Sequence, residues 1–310
     1  MAKYIVRRVI YMFITLFLIA SATFFLMKML PGSPLASANK LTPEQREVIE
    51  DKYGLNDPLP VQYATYMANL AKGDLGTTFQ FRGQNVTDLI LKRLGPSMQL
   101  GAQGMALGIT IGILLGMIAA LRQNTIWDYG STFIAIVGIS IPSFVLATYL
   151  QYIVAVKWGI LPVALWDQGW KSSVLPSLAL ALGPLATAAR FIRTEMIEVM
   201  SSDYITLAKS KGASGSEIAF KHAFRNALIP LVTVLGPMAA GTLTGSLVIE
   251  KIFAVPGIGE QFVKSINVND FSIIMGTTLF FSIFLVVIIF IVDLLYGIID
   301  PRIRLAGGKN

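Results

Sequence analysis

The chain contains no cysteine and a single histidine, His222, in 310 residues. That excludes disulfide frameworks, iron–sulfur clusters, thiolate zinc sites and a cysteine nucleophile together. It also removes histidine-rich metal and haem sites. Charge is scarce: 14% of residues are charged, against 54% hydrophobic. A soluble domain usually carries about 25%, so this composition, with a mean hydropathy of +0.65, points to a membrane protein. The formal net charge of +7 then serves orientation in the membrane, and no nucleic-acid partner is expected. A phosphate-binding loop is missing as well. Gly307-Gly308-Lys309 stands before the final Asn310 with neither the Ser/Thr nor the preceding strand that such a loop needs. His-Glu-x-x-His and Gly-x-Ser-x-Gly do not occur, so hydrolysis inside the membrane has no visible machinery. The chain is therefore expected to be no enzyme, with no catalytic residue, cofactor or metal site of its own.

What the chain does have is apolar length. Six runs approach or exceed the roughly 20 residues needed to cross the hydrocarbon core: Val9–Met27, Met98–Leu121, Thr132–Val156, Val174–Ala189, Ala227–Ile249 and Ile273–Val292. The fourth is the shortest, and its Pro176 and Pro184 predict a kink. The basic N-terminus, the first run and Ala36-Ser37-Ala38 imitate a cleavable signal peptide. The run is longer than a signal h-region and five more follow, so it reads as a first span. Lys and Arg in the short loops set the orientation. With the N-terminus inside, the inner segments hold Lys3, Arg7, Arg8, Arg122, Arg190, Arg193, Lys209, Lys211, Lys221, Arg225, Arg302, Arg304 and Lys309. The short outer loops hold only Lys157, Lys171, Lys251 and Lys264. Both termini are expected in the cytoplasm.

The organisation that follows has a tip and first span at 1–30, an extracytoplasmic insert at 31–96, a five-helix core at 97–300 and a cytoplasmic tail at 301–310. In the insert, Thr42 and Pro43 predict a helix start, and Gly54 its end, at about Tyr53. The second span carries Gly104, Gly108, Gly112 and Gly116 at intervals of four, which places them on one helix face as a smooth strip for close helix packing. Glu250 and Asp293 sit at the edges of spans, a poor arrangement for a proton relay. Gln99, Gln103 and Gln151 suit either a polar path or hydrogen bonds between helices.

One cytoplasmic stretch, within a loop at 193–226, is polar and helix-patterned. Ser202 or Asp203 can cap a short helix Tyr204–Lys211, whose Tyr204, Leu207 and Ala208 share a face with Lys211. Gly212 suits a left-handed stop, and Ser214-x-x-Glu217 is a capping box for a second helix leading into the fifth span. An eight-residue helix is about 12 Å long and marginal alone, so it needs a partner surface. Lipid headgroups are one candidate; a groove in another protein is the other.

The words "DYITLAKSKGAS" and "HAFRNALIP" resemble the cytoplasmic loop of permeases in ATP-binding-cassette importers, whose Glu-Ala-Ala-x3-Gly core forms a coupling helix. Here that core reads Thr206-Leu207-Ala208-x3-Gly212, which matches at the second alanine and the glycine only. The departures fit the peptide-importer branch, as do "YGLNDPLPVQY", "GDLGTTF", "SIPSFVLA", "GILP", "IEKIFAVPGIG" and "DPRIRL", in the same order along nearly the whole chain. The resemblance implies an all-α, six-span permease fold of the type I importer kind in a bacterial cytoplasmic membrane. It also implies a second homologous permease, two cytoplasmic ATPases that bind the ATP and Mg, and an extracytoplasmic peptide-binding protein. The coupling helix at 203–212 would then dock on an ATPase through Tyr204, Leu207, Ala208 and Gly212, with Asp203 and Lys209 at the rim. A related substrate such as a dipeptide, a nickel complex or an opine is compatible with the same fold. A secondary transporter would show a central acid or paired broken helices.

Overall fold

The computed structural model describes residues 2–30, 42–79 and 83–299, and these are helical apart from their connections. One isolated bridge, between Thr77 and Asn85, is the sole extended pairing among the described residues. In chain order the helices are α1 (Ala2–Met29), α2 (Pro43–Lys52), α3 (Leu59–Ala71), α4 (Val86–Leu121), α5 (Ile126–Ser140) and α6 (Ser143–Leu150), which runs on as a π-helical stretch, Gln151–Lys157. Then come α7 (Trp170–Met200), α8 (Asp203–Ser210), α9 (Gly215–Glu217), a second π-helical stretch Ile218–Phe224, α10 (Arg225–Leu243), α11 (Leu247–Ile252), α12 (Ile258–Asn267) and α13 (Phe271–Ile299). The tail 301–310, Ala36-Ser37-Ala38 and the closing "DPRIRL" lie outside the described residues.

Among the described residues, five stretches are long and apolar enough to cross a membrane: Ile5–Met29, Val86–Leu121, Trp170–Met200, Pro230–Ile252 and Phe271–Leu294. The remaining expected span, the third (Thr132–Val156), is not one straight helix. Its two halves, α5 and α6 with the π-helical extension, meet at 99°. The cause is local: Pro142 disfavours helical backbone at Ile141, which is extended at φ −83° and ψ 119°.

Two more boundaries differ from the hydropathy reading. The second span starts as a helix at Val86 rather than Met98. Asn85 caps it by accepting the Thr87 N–H at 2.8 Å, and its first turns bury Val86 and Ile90. The fourth candidate span continues as one helix to Met200, so the first residues of the loop expected at 193–226 are helical and belong to α7. Arg190, Arg193 and Glu195 look like loop residues by hydropathy alone, but α7 is the most buried of the candidate spans. Neighbouring helices supply the surroundings that an apolar sequence would need if it faced lipid.

The chain forms two compact units. One contains α1–α3, α4 as far as Gly95, α12, and α13 as far as Phe284. Its core joins Val86, Ile90, Ile258 and Ile273. Asp270, fully buried, accepts the backbone N–H groups of Phe79 at 3.1 Å and Ile273 at 3.3 Å, which caps α13. An aromatic stack holds α3 on α1, with Phe24 on Tyr66 and Phe25 on Tyr63 at 5.4 and 5.3 Å between centroids. Burial, with Tyr63 adding to it, pushes the Tyr66 phenol up to about 12.

The other unit, Pro96–Pro256 with α13 from Leu285, is organised around α7. Here α4 packs on α7 closely enough that backbone meets backbone. A Cβ at Gly104 would come within 2.9 Å of Leu180 Cβ; at Gly108, within 2.3 Å of Ala181 O; at Gly112, within 2.4 Å of Leu185 O; at Gly116, within 2.6 Å of Ala189 O. Gly101 continues the strip against Thr242 O, at 2.6 Å. On another side Ala135 of α5 packs on Ala186 and Ala189.

Candidate functional site

The short helix expected in the polar stretch is α8, Asp203–Ser210, one residue earlier at each end than the spacing suggests. Ser202 occupies the N-cap position, but its hydroxyl donates back to Val199 O at 2.6 Å and caps nothing. Asp203 compensates as an acid in the first turn, where the helix dipole favours it. The far end closes in a Schellman motif. The Ala213 N–H reaches Ala208 O at 3.1 Å and the Gly212 N–H reaches Lys209 O at 3.0 Å, which requires the left-handed φ of +83° found at Gly212. Ser214 then accepts the Glu217 N–H at 3.2 Å and starts α9.

This helix is anchored by one face only. Ile205 is fully buried. The Tyr204 hydroxyl accepts a hydrogen bond from Asn226 Nδ2 at 3.0 Å, tying α8 to the start of α10. Leu207 is 56% exposed and Tyr204 46%. Together with Ala208, Lys211, Gly212 and His222 they line an open hollow of about 460 Å³ between α8 and the π-helical stretch. A Cβ at Gly212 would meet nothing within 4 Å, so the hollow is free at that corner. Asp203 and Lys209 are exposed. Lys221 pairs with Glu217 at 3.0 Å on the solvent side, an i,i+4 pair that contributes little in water. Five of the six expected residues are thus accessible; Ala208 is half-buried in the wall.

Two of the three glutamines considered for a polar path are hydrogen-bonded to other elements. Gln103 accepts from the Ser177 hydroxyl at 2.8 Å, and Gln151 donates to Val163 O and Ile252 O at 2.8 and 3.2 Å. Gln99 is exposed. Glu250, at the edge of its span as hydropathy places it, is 1% exposed and accepts from the Ser97 hydroxyl at 2.6 Å.

The largest omission of the sequence reading is a pair. Asp128, 2% exposed, takes Arg193 Nε on Oδ1 at 2.6 Å and Arg193 Nη2 on Oδ2 at 2.9 Å. An acid shortly before an apolar run, in the first turn of what the structure shows as α5, was the available signal; nothing in spacing tells which arginine meets it.

Residues 112–305 match the family model described as "Binding-protein-dependent transport system inner membrane component", and residues 1–100 match its N-terminal counterpart. The chain belongs to that family. It is 46% identical to the dipeptide transport system permease protein DppB of Lactococcus lactis, over 98% of this chain and all of the relative. It is 42% identical to the oligopeptide transport system permease protein OppB of Haemophilus influenzae, over the same share of this chain and all of the relative. The fold is similar to a chain of the methionine ABC transporter MetNI, with TM-score 0.55 and 18% identity, over 69% of this chain and 97% of that one. The protein is therefore a membrane permease, helical in its described residues, with the importer-permease fold.

Proposed function

We propose that the protein forms half of the translocation path of an ATP-driven importer for peptides, oligopeptides or dipeptides, and that α8 is the surface through which cytoplasmic ATPases move it. The observation that carries the reading is α8 itself: a helix anchored by Ile205 that leaves Tyr204 and Leu207 exposed beside an open hollow. Large apolar residues rimmed by charge mark an interaction site, and an amphipathic helix in a partner's groove is a recurrent solution. The two-residue connection Ser201–Ser202 is hydrogen-bonded back to Ile197, Glu198 and Val199, so a force on α8 reaches α7 without slack. Both termini and α8 face the cytoplasm in this reading, because the basic residues of the short loops cluster there. The energy comes from ATP bound by partner subunits, and a second, homologous permease completes the path. An extracytoplasmic binding protein delivers the peptide.

The direct test is co-purification from the native membrane, with identification of the bound subunits. A second permease and ATPases should accompany this chain, and a cysteine at Ala208 should cross-link to an ATPase. Peptide uptake driven by an ion gradient, with no ATPase present, contradicts the reading.

A further inference from the structure

The Asp128 carboxylate is saturated by donors from three places. Besides both nitrogens of Arg193, Oδ2 accepts the Asn124 N–H at 3.0 Å and Oδ1 lies 3.4 Å from the Thr132 hydroxyl. Asn124 holds a left-handed φ of 61° in the turn between α4 and α5. One carboxylate therefore closes that turn, sits in the first turn of α5 and grips α7. Arg193 lies about 10 Å before the end of α7, at 1.5 Å per residue, and that end leads directly into α8 through Ser201–Ser202.

Between α5 and α7 small residues meet, Ala135 on Ala186 and Ala189 and Gly138 on Ala186, with the Leu182 side chain also against Gly138. Small smooth surfaces let helices approach, but they offer little resistance to sliding. A bidentate arginine–carboxylate pair fixes distance and orientation together.

We propose that Asp128 and Arg193 are a positioning pair that makes the α4–α5 turn and α5 move as one body with α7 when α8 is displaced. The inference rests on α8 being the surface that the ATPases move. Neither residue touches substrate or ATP; the pair sets how much of the stroke at α8 reaches α5.

The experiment uses the complete transporter in lipid vesicles, with Asp128→Asn and Arg193→Lys in this chain. Asn keeps the shape and loses the charge; Lys keeps the charge and loses the second hydrogen bond. Both variants should assemble and hydrolyse ATP at a rate close to the native one, while ATP-driven uptake falls about tenfold, a usual size for coupling between sites. Spin labels on cysteines at Gln123 and Glu198, both exposed, report the distance between the turn and α7. That distance should be the same in the nucleotide-free and ATP-trapped states of the native pair, and should differ between states in Asp128→Asn. The proposal is overturned if the native distance changes with nucleotide, if the variants keep full uptake, or if uptake and hydrolysis fall in proportion. A native transporter that takes up peptide without ATP overturns the docking reading first, and this proposal with it.

Discussion

Replacing Leu207 by Asp and Ile205 by Ala should separate docking from folding on a single helix. Ile205 is fully buried and Leu207 is 56% exposed, two positions apart on α8. Truncating a buried isoleucine to alanine costs about 2–5 kcal/mol, so Ile205→Ala loosens α8 and lowers the Tm of the isolated chain. Leu207 already faces water, so Leu207→Asp costs the isolated chain only about 1 kcal/mol, from the lower helix propensity of aspartate and its place in the last turn of α8. In a partner's groove the balance reverses. Burying the exposed half of a leucine is worth about 1–1.5 kcal/mol, and an aspartate there also carries a desolvation cost of several kcal/mol unless it finds a partner. Association with the ATPases should weaken by about a hundredfold or more, since each 1.4 kcal/mol is tenfold. Two assays decide: a thermal melt of the purified chain, and co-purification of ATPase with it. If Leu207→Asp retains the ATPases and full uptake, or destabilises the chain as much as Ile205→Ala, the assignment of faces is wrong.

Other consequences follow from contacts elsewhere. Gly112→Ala should destabilise by about 1–3 kcal/mol through overpacking, because its Cβ would lie 2.4 Å from Leu185 O. Gly183→Ala, where nothing lies within 4 Å, should stabilise by about 0.5–1 kcal/mol; comparing the two melts checks both. Gly212→Ala should cost about 1 kcal/mol from the positive φ alone, with Gly212→Asn milder, again read as Tm. The Tyr66 phenol is raised from 10.0 to about 12, so the folded chain holds this proton longer than the unfolded one. Stability is unaffected below pH 10 and falls as pH rises from 10 toward 12. Tyr66→Phe should flatten that part of the Tm-against-pH curve, and should remove a late-titrating phenol from the tyrosinate absorbance.

The elements most legible in the sequence were those written locally. The Ser214-x-x-Glu217 box, the Gly212 stop and the Pro43 start each depend on residues within one turn, and each lies where the spacing puts it. The glycines at intervals of four were readable for the same reason, although the helix they meet was not. What was not legible depends on surroundings. The length of α7 was hidden because hydropathy assumes a helix facing lipid, and α7 faces other helices. The 99° bend had its cause in plain view at Ile141-Pro142, but the apolar run continues through it and masks the break. The partners Asp128–Arg193 and Ser97–Glu250 are far apart in sequence, so only the packed helices show that they meet. In α8 the face pattern gave Tyr204, Leu207 and Ala208 together, and the buried anchor Ile205 emerged from the fold.

The central claim, that this permease imports peptide with energy supplied by ATPases on other chains, is tested most directly by uptake into vesicles. The vesicles carry this chain, its partner permease and the ATPases, with the binding protein and a labelled peptide on the side opposite the ATPases. With ionophores collapsing every gradient, uptake should continue while ATP is present and stop when it is removed. Uptake that persists without ATP, or that ends when the ion gradients collapse, contradicts the account.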